Sequence, residues 1–313
     1  MILFSIVICS YNPDARLLEK CVNACLNQLA SDVEYEIILV DNNSTESLKK
    51  NLVVKNFLEK DQRFKVIEEK RQGLIYARIA GFNESKGSFI IFADDDNVLA
   101  LDYIQNLKVI SKNIPWVGIW GAGDIEVNFI DGVPTWIEKY FQDMFQYRKL
   151  KYLQYGCVKG WPDYYPVGSG ISVRKDIFEE YLKRFELGMV TAIGRSKDSL
   201  SSAEDSQIVW AAMLSGIASG TSPDLRLTHI IPKKRTSRKY LTDLNFNISR
   251  SYYKALFEMF PGEIKSYAQH TISFRLGFVL KQLIKAGFKP LLFYRFFTIR
   301  NSWNKGLRET LAK

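Results

Sequence analysis

An apolar run, Phe89-Ile90-Ile91-Phe92-Ala93, ends abruptly in three consecutive aspartates, Asp94-Asp95-Asp96. The run is aromatic and β-branched and follows Gly87-Ser88, so it predicts a buried strand. Carboxylates placed where such a strand stops project from a sheet edge, which is where open α/β proteins bind ligands. Two like charges about 4 Å apart repel by roughly 4 kcal/mol at an effective dielectric of 20. A cation would relieve that repulsion, and hard oxygen ligands select magnesium, manganese or calcium. A solvated acidic turn is the plainer reading; position at the end of a core strand favours the metal.

The first hundred residues alternate strand and helix signals. Phe4 to Cys9 reads as a first strand, and Asn12-Pro13 as a capping residue and first-turn proline opening a helix. Leu17, Leu18, Cys21, Val22, Cys25, Leu26 and Leu29 recur at helical spacing as its buried stripe. Tyr35 to Val40 is a second strand, ending in the turn cluster Asp41-Asn42-Asn43-Ser44. A helix to about residue 60, a short strand over Phe64 to Glu68 and a helix introduced by Gly73 precede the aspartate-bearing strand. This order with short connections predicts an α/β fold with a doubly wound, mostly parallel sheet. The dinucleotide fingerprint Gly-x-Gly-x-x-Gly is missing after the first strand. Ser10-Tyr11-Asn12-Pro13 stands there, offering an aromatic face and side-chain oxygens.

Residues 114–175 are rich in Trp, Tyr and Gly; their rings suit a core, or a pocket that stacks on sugars or a lipid. Gly168-Ser169-Gly170 and Arg174-Lys175-Asp176 read as a small-residue turn before a helix. Ala203-Glu204-Asp205 starts another helix, with Ile208, Val209, Ala212, Met213 and Ile217 as its buried stripe. Acids in a first helical turn are favoured by the dipole, which alone accounts for Glu204 and Asp205. A last short strand falls within Asp224 to Ile231, ending near His229, and mostly helical sequence follows residue 240.

Of 313 residues, 47% are hydrophobic and 25% charged, enough for a full soluble core. The N-terminal run from Ile2 to Cys9 has no basic segment before it, so a first strand is expected rather than a signal peptide. Residues 206–223 carry no charge but are broken by Ser, Gln, Thr, Gly and Pro, which excludes a transmembrane helix there. Cys21 and Cys25 lack partners at zinc spacing and read as small buried hydrophobes. Four cysteines in a chain of this size fit a reducing cytoplasm.

Taken together, Ser-Tyr-Asn-Pro (10–13), Val-Asp-Asn-Asn-Ser-Thr (40–45), Gly-x-x-x-Ala-Arg (73–78), Phe-x-Asp-Asp-Asp (92–96) and Glu-Asp (204–205) resemble family 2 glycosyltransferases. These are inverting, nucleotide-sugar-dependent enzymes of the GT-A fold. Each motif is weak alone; five in this order are specific. The resemblance spans residues 3–232. It implies a catalytic domain over 1–232 and leaves 233–313 as a basic, mostly helical extension.

The resemblance also implies roles. Ser10, Tyr11 and Asn12 would meet the donor, with Tyr11 stacking on the nucleobase and Asp41 accepting from a uracil imide. Arg78 would lie near the nucleotide. Asp94 would face the ribose and the metal, and Asp96 would hold Mn²⁺ or Mg²⁺. Asp95 departs from the small residue often found between them. Asp205 would be the general base toward an acceptor hydroxyl. His229 would approach the metal or the diphosphate, or else be an ordinary loop histidine. Arg235 and Arg238 suit phosphate forks, or membrane or solvent contact. A UDP-sugar donor and a glycan or lipid-linked acceptor in surface polysaccharide synthesis are what the resemblance implies. The other readings are a sugar-phosphate nucleotidylyltransferase, which needs a glycine- and basic-rich loop after strand one, and a degenerate nucleotide-sugar-binding protein. A nucleic-acid binder using the basic tail is a further reading, which would show as strongly salt-dependent affinity for random DNA; no nucleic-acid partner is expected.

Charge is unevenly spread. Residues 233–313 hold 17 Lys and Arg against 4 Asp and Glu, a net +13, which leaves −4 for the rest. Within residues 265–300, Arg275, Lys281, Lys285, Lys289, Arg295 and Arg300 alternate with Phe274, Leu276, Phe278, Val279, Leu280, Leu283, Ile284, Phe288, Leu291, Leu292, Phe293, Phe296 and Phe297. That pattern prevents a spanning helix and fits an interfacial one on an anionic membrane, or helices packed on the body. The expected location is cytoplasmic and peripheral on the inner face of the cell membrane.

Overall fold

A computed structural model describes residues 3–30, 33–269, 276–287 and 289–312. Ile2, Phe274, Arg275 and Phe288 lie outside the described residues, as do the side chains of Leu276, Phe278, Val279 and Leu280. The chain runs β1 (Phe4–Ser10), α1 (Ala15–Leu26), β2 (Tyr35–Asp41), α2 (Leu52–Lys60), β3 (Phe64–Glu68), α3 (Leu74–Glu84) and β4 (Phe89–Asp94). Next come β5 (Asn97–Leu99), α4 (Tyr103–Asn113), β6 (Val117–Asn128), α5 (Thr135–Tyr140), β7 (Arg148–Lys149), β8 (Gln154–Gly156) and β9 (Ile171–Arg174). Then follow α6 (Lys175–Glu186), α7 (Glu204–Leu214), β10 (Ala218–Ile230), α8 (Arg238–Met259), α9 (Glu263–Gln269), α10 (Leu276–Lys285) and α11 (Pro290–Leu311).

β1 is buried along its whole length, the mark of a central strand covered on both faces. Phe4, Ile6 and Ile8 point into a core formed with α1, α2 and α4, while Val7 and Cys9 join α3, α6 and α7 on the other face. The sheet order is β3-β2-β1-β4-β9-β6-β10-β5, with β7 on β6 and β8 on β10. β3, β2, β1 and β4 are parallel, as expected, and β9 enters antiparallel between β4 and β6. The chain builds outward from β1 to β3 and then returns to the other side of β1. Such a reversal opens a crevice beyond the carboxyl ends of β1 and β4. Register puts Ser10 opposite Asp41 and Cys9 opposite Asp94, so the sequence motifs meet at that edge.

Several local expectations change. Helix α1 begins at Ala15, not at Pro13, because Asp14 is the cap and accepts from the Arg16 N–H at 3.0 Å. The helix stops at Leu26, which leaves Leu29 61% exposed in the following loop. Met213 and Ile217 are only half-buried, because α7 ends at Leu214. The last strand is 13 residues long and starts at Ala218, well before Asp224. Its partner β6 lies in the stretch read only as aromatic-rich. Among the described residues, no helix is long and apolar enough to cross a membrane. Cys9, Cys21 and Cys25 are free and buried.

The C-terminal helices are fastened to this body. Ala255, Leu256, Phe257 and Met259 of α8 and Leu307 of α11 belong to the same apolar cluster as Ile208 to Ala212 of α7. A smaller cluster of Ile137, Phe141, Phe145, Ile231 and Leu241 ties α5 to the end of β10 and the start of α8.

Candidate active site

A cavity of about 240 Å³ opens at the carboxyl ends of β1 and β4. Ser10, Tyr11, Arg78, Asp94, Asp95, Asp96 and Asp205 all line it, so seven residues singled out from scattered motifs come together.

The aspartates occupy the tight turn between β4 and β5. Because β5 pairs antiparallel with the end of β10, His229 stands opposite Asn97, and the Ile230 N–H donates to the Asp96 carbonyl at 2.8 Å. Asp96 is the best-held carboxylate. Its Oδ2 accepts from Arg235 Nη1 at 2.7 Å and lies 3.5 Å from His229 Nε2, while Oδ1 accepts from Asn97 Nδ2 at 2.9 Å. Burial opposes its charge, but Arg235 and His229 outweigh burial and hold the carboxyl well below the usual range. Asp95 accepts from the Ser10 hydroxyl at 2.6 Å. Burial and Asp96 nevertheless push its carboxyl up to about 7. Burial and Asp96 raise Asp94 as well, against the pull of Arg78, Arg195 and His229. Asp94 and Asp95 are thus short of compensating positive charge, and each holds its proton more readily than a free aspartate.

On the α3 and α7 side, Arg78 is fully buried. Its Nη1 lies 3.4 Å from Glu204 Oε1, and its guanidinium sits over the Phe92 ring at 5.4 Å. Burial works against the Arg78 charge, but Glu204 and Asp94 outweigh it, so its pKa rises above the ordinary value. Burial, followed by repulsion from Asp205, lifts the Glu204 carboxyl to about 7 despite Arg78. Arg78 Nε, Arg78 Nη1 and Glu204 Oε2 are buried with no hydrogen-bond partner. Such orphaned groups cost about 1–3 kcal/mol each and invite a ligand. Ala203, just before α7, holds φ at 82°, a strained value for a residue with a side chain. Asp205 Oδ1 accepts from the Ser206 N–H at 2.7 Å. A Cβ placed on Gly168 would lie 3.3 Å from both Asp205 Oδ2 and Arg78 Nη2, so only glycine leaves that space open.

Other expected residues do not line the cavity. Asn12 adopts φ 46° and ties the β1 loop to the β2 loop, its Oδ1 accepting from the Thr45 N–H at 2.9 Å. Asp41 accepts from the N–H groups of Ser44 and Leu48, both at 2.9 Å, and shapes the loop after β2. His229 is buried, with Nδ1 2.9 Å from the Phe145 carbonyl oxygen, and supports Asp96 from beneath. Arg238 sits 5.4 Å over the rings of Trp136 and Tyr294, while Arg235 reaches Asp96. The cavity also includes Gln72, Gln146, Arg195 and Ser202, which no motif marked. Gln72 and Arg195 sit in polar loops whose composition resembles any other loop.

The acids suit a divalent cation in type: hard oxygens at a strand end, with Asp94 and Asp95 short of positive charge. Among the described residues, no group of three His, Cys, Asp or Glu side chains is placed to hold a metal ion. The oxygens of Asp96 are engaged by Arg235 and Asn97.

Residues 5–182 match the model of "Glycosyl transferase family 2". An uncharacterized glycosyltransferase of Haemophilus influenzae is 31% identical over 43% of this chain and 54% of its own length. The Bacillus subtilis glycosyltransferase EpsJ is 30% identical over 34% of this chain and 29% of its own length. The Streptococcus pneumoniae glycosyltransferase GlyA is 30% identical over 33% of this chain, which spans just 14% of that longer protein. In three dimensions, the S. aureus TarS fragment 1–349, solved in complex with UDP, superposes with a TM-score of 0.53 at 15% identity. That superposition covers 98% of this chain and 91% of the other. The same fragment in complex with UDP-GlcNAc gives a TM-score of 0.55 at 14% identity and the same coverage. With the family model covering more than half of its length, and the acidic turn, Arg78 and Asp205 on one cavity, the chain belongs to glycosyl transferase family 2.

Proposed function

We propose that the protein is an inverting glycosyltransferase that moves a sugar from a nucleotide donor, a UDP-sugar, to a hydroxyl of a glycan or lipid-linked acceptor. The observation that carries this reading is one cavity holding the strand-end aspartates, Arg78 and Asp205 together. TarS, of similar fold, is solved with UDP and with UDP-GlcNAc, which supports a nucleotide-sugar donor.

In this reading Tyr11 stacks on the nucleobase. Ser10 and Asn12 fix the loop that carries it, and Asp41 positions the neighbouring loop toward the base edge. Asp94 and Asp96, with Asp95 beside them, would hold Mn²⁺ or Mg²⁺, and His229 would back that site. When bound, the cation supplies Lewis-acid stabilisation of charge on the departing diphosphate. Arg235 moves from Asp96 to a diphosphate oxygen, a fork suited to phosphate. Arg78 keeps Asp94 and Asp205 in one electrostatic frame. Asp205 takes the proton from the acceptor hydroxyl as that oxygen bonds to the anomeric carbon. The bond from that carbon to the diphosphate breaks on the opposite face, and the configuration inverts.

Asp205→Asn tests the assignment. Transfer should fall by about 100- to 10,000-fold, the usual contribution of a positioned base. UDP affinity, measured by calorimetry with Mn²⁺ present, should stay within about 2-fold. Unchanged turnover would remove Asp205 from the mechanism.

A further inference from the structure

Resting on that reading, we propose that a second cavity, walled by aromatic side chains of the C-terminal helices, is the acceptor subsite and takes the pyranose rings of a glycan. Its volume is about 650 Å³, and it meets the first cavity at Gln146, Arg195, Ser202 and Asp205. An acceptor hydroxyl must reach the base, and this cavity touches Asp205 without including the aspartate turn.

The chemistry of the wall suits carbohydrate. Tyr252 and Tyr253 of α8, Tyr267 of α9 and Trp303 of α11 line it, together with Trp161. Trp303 lies 5.4 Å from Tyr252 and 5.6 Å from Tyr253, edge-on to both rings. Such rings present apolar faces to sugar C–H groups and phenol hydroxyls to sugar hydroxyls. Plain packing would close them off, as it closes Trp210. That neighbour is fully buried and donates its indole N–H to the Gly160 carbonyl at 3.0 Å. Trp161, Tyr252, Tyr253, Tyr267 and Trp303 stay half-buried around open space.

The junction of the two cavities carries a second, independent mark. Gln146 holds φ at 66°, a left-handed conformation uncommon for glutamine. Its Oε1 is shielded from solvent and has no hydrogen-bond partner. An acceptor hydroxyl on its way to Asp205 would satisfy that oxygen. The extension beyond residue 232 thereby helps to wall the acceptor subsite.

The test uses the full chain saturated with UDP and Mn²⁺. Methyl β-D-glucopyranoside, methyl N-acetyl-β-D-glucosaminide, cellobiose and chitobiose are titrated while tryptophan fluorescence is read. At least one should give a saturable change. Trp303→Leu should weaken that binding by about 10-fold, the scale of one lost anchoring contact, with UDP affinity within about 2-fold of wild type. Ile299→Trp, which fills the cavity instead of emptying it, should weaken the glycan likewise and decides the matter if Trp303→Leu fails to fold. Absence of binding by all four glycans, or equal glycan affinity in wild type and Ile299→Trp, overturns the proposal. The UDP titration stands apart: a chain that binds no UDP sinks the donor reading instead.

Discussion

Gly168 shows how narrowly single atoms set this site. A methyl group there would stand 3.3 Å from Asp205 Oδ2 and from Arg78 Nη2, tighter than ordinary contact, and one of them must retreat by a few tenths of an ångström. Displacements near 1 Å can cost about 100-fold in rate, so a smaller shift should cost about 10-fold. Gly168→Ala should therefore lower turnover with little change in melting temperature, checked by steady-state kinetics beside calorimetry. Glu36 makes a prediction about acid stability instead. It is buried, which resists its charge, yet the Lys86 N–H, the Ser5 hydroxyl and Lys65 together hold its carboxyl below the usual value. A lowered folded pKa gives stability that is complete above the unfolded value of about 4.3 and is lost as pH falls through the folded one. Glu36→Gln should thus cost about 1–3 kcal/mol at pH 7. The gap should narrow progressively below about pH 4 in urea melts. Residue types were legible in the sequence wherever a motif named them, but their partners were not. Asp41 and Asp94 both end parallel strands; one turns both oxygens to backbone N–H groups and the other faces the cavity. A carboxylate that caps a turn and one that meets a ligand look alike until the loop is built.

Elements with one strong period were readable, and those with mixed signals were not. β3 runs from Phe64 to Glu68 and α3 starts after Gly73, both where the pattern put them. β9 hid behind Gly168-Ser169-Gly170, and the first half of β10, Ala-Ser-Gly-Thr-Ser-Pro, has turn composition. These small residues form a strand because they are sandwiched: a Cβ on Gly220 would come within 2.5 Å of the Gln154 carbonyl oxygen. Tertiary packing overrides local preference there. The same close approach joins α8 to α11. A Cβ on Gly306 would fall 2.3 Å from Ser249 Oγ and 2.8 Å from the Arg250 backbone nitrogen, so the helices cannot keep their spacing. Alanine normally gains about 1 kcal/mol over glycine within a helix. Here the clash should reverse the sign, and Gly306→Ala should destabilise by about 1–3 kcal/mol in chemical denaturation. If α11 helps wall the acceptor cavity, glycan affinity should fall with it while UDP affinity holds.

At the scale of the molecule, charge is divided unevenly between the body and the extension. A body of net −4 carries an extension of net +13. Part of that positive charge is engaged by the chain's own groups: Arg235 on Asp96, Arg238 over Trp136, Arg295 on Asp143. Another part faces water. Lys281, Lys285 and Lys289 are exposed at and just after α10, and Ile284 between them is 63% exposed. Basic residues flanking an exposed aliphatic group form the pattern of a helix resting on an anionic surface. The same extension packs its other side against α7 and, in the proposal above, against the acceptor. Membrane contact and acceptor entry would then lie on one appendage, which suits a lipid-linked substrate. Each Lys near an anionic leaflet contributes about 1 kcal/mol, so reversing three of them should weaken partitioning by more than about 100-fold. Lys281→Glu/Lys285→Glu/Lys289→Glu should accordingly stay in the supernatant when sedimented with phosphatidylglycerol vesicles at low salt. The wild-type chain should pellet with them and be released as salt screens the attraction over a Debye length of about 8 Å. Soluble-glycan binding should be the same in both proteins, because these lysines do not line the cavity. A wild-type chain that remains in the supernatant with anionic vesicles would leave the positive charge to intramolecular packing alone.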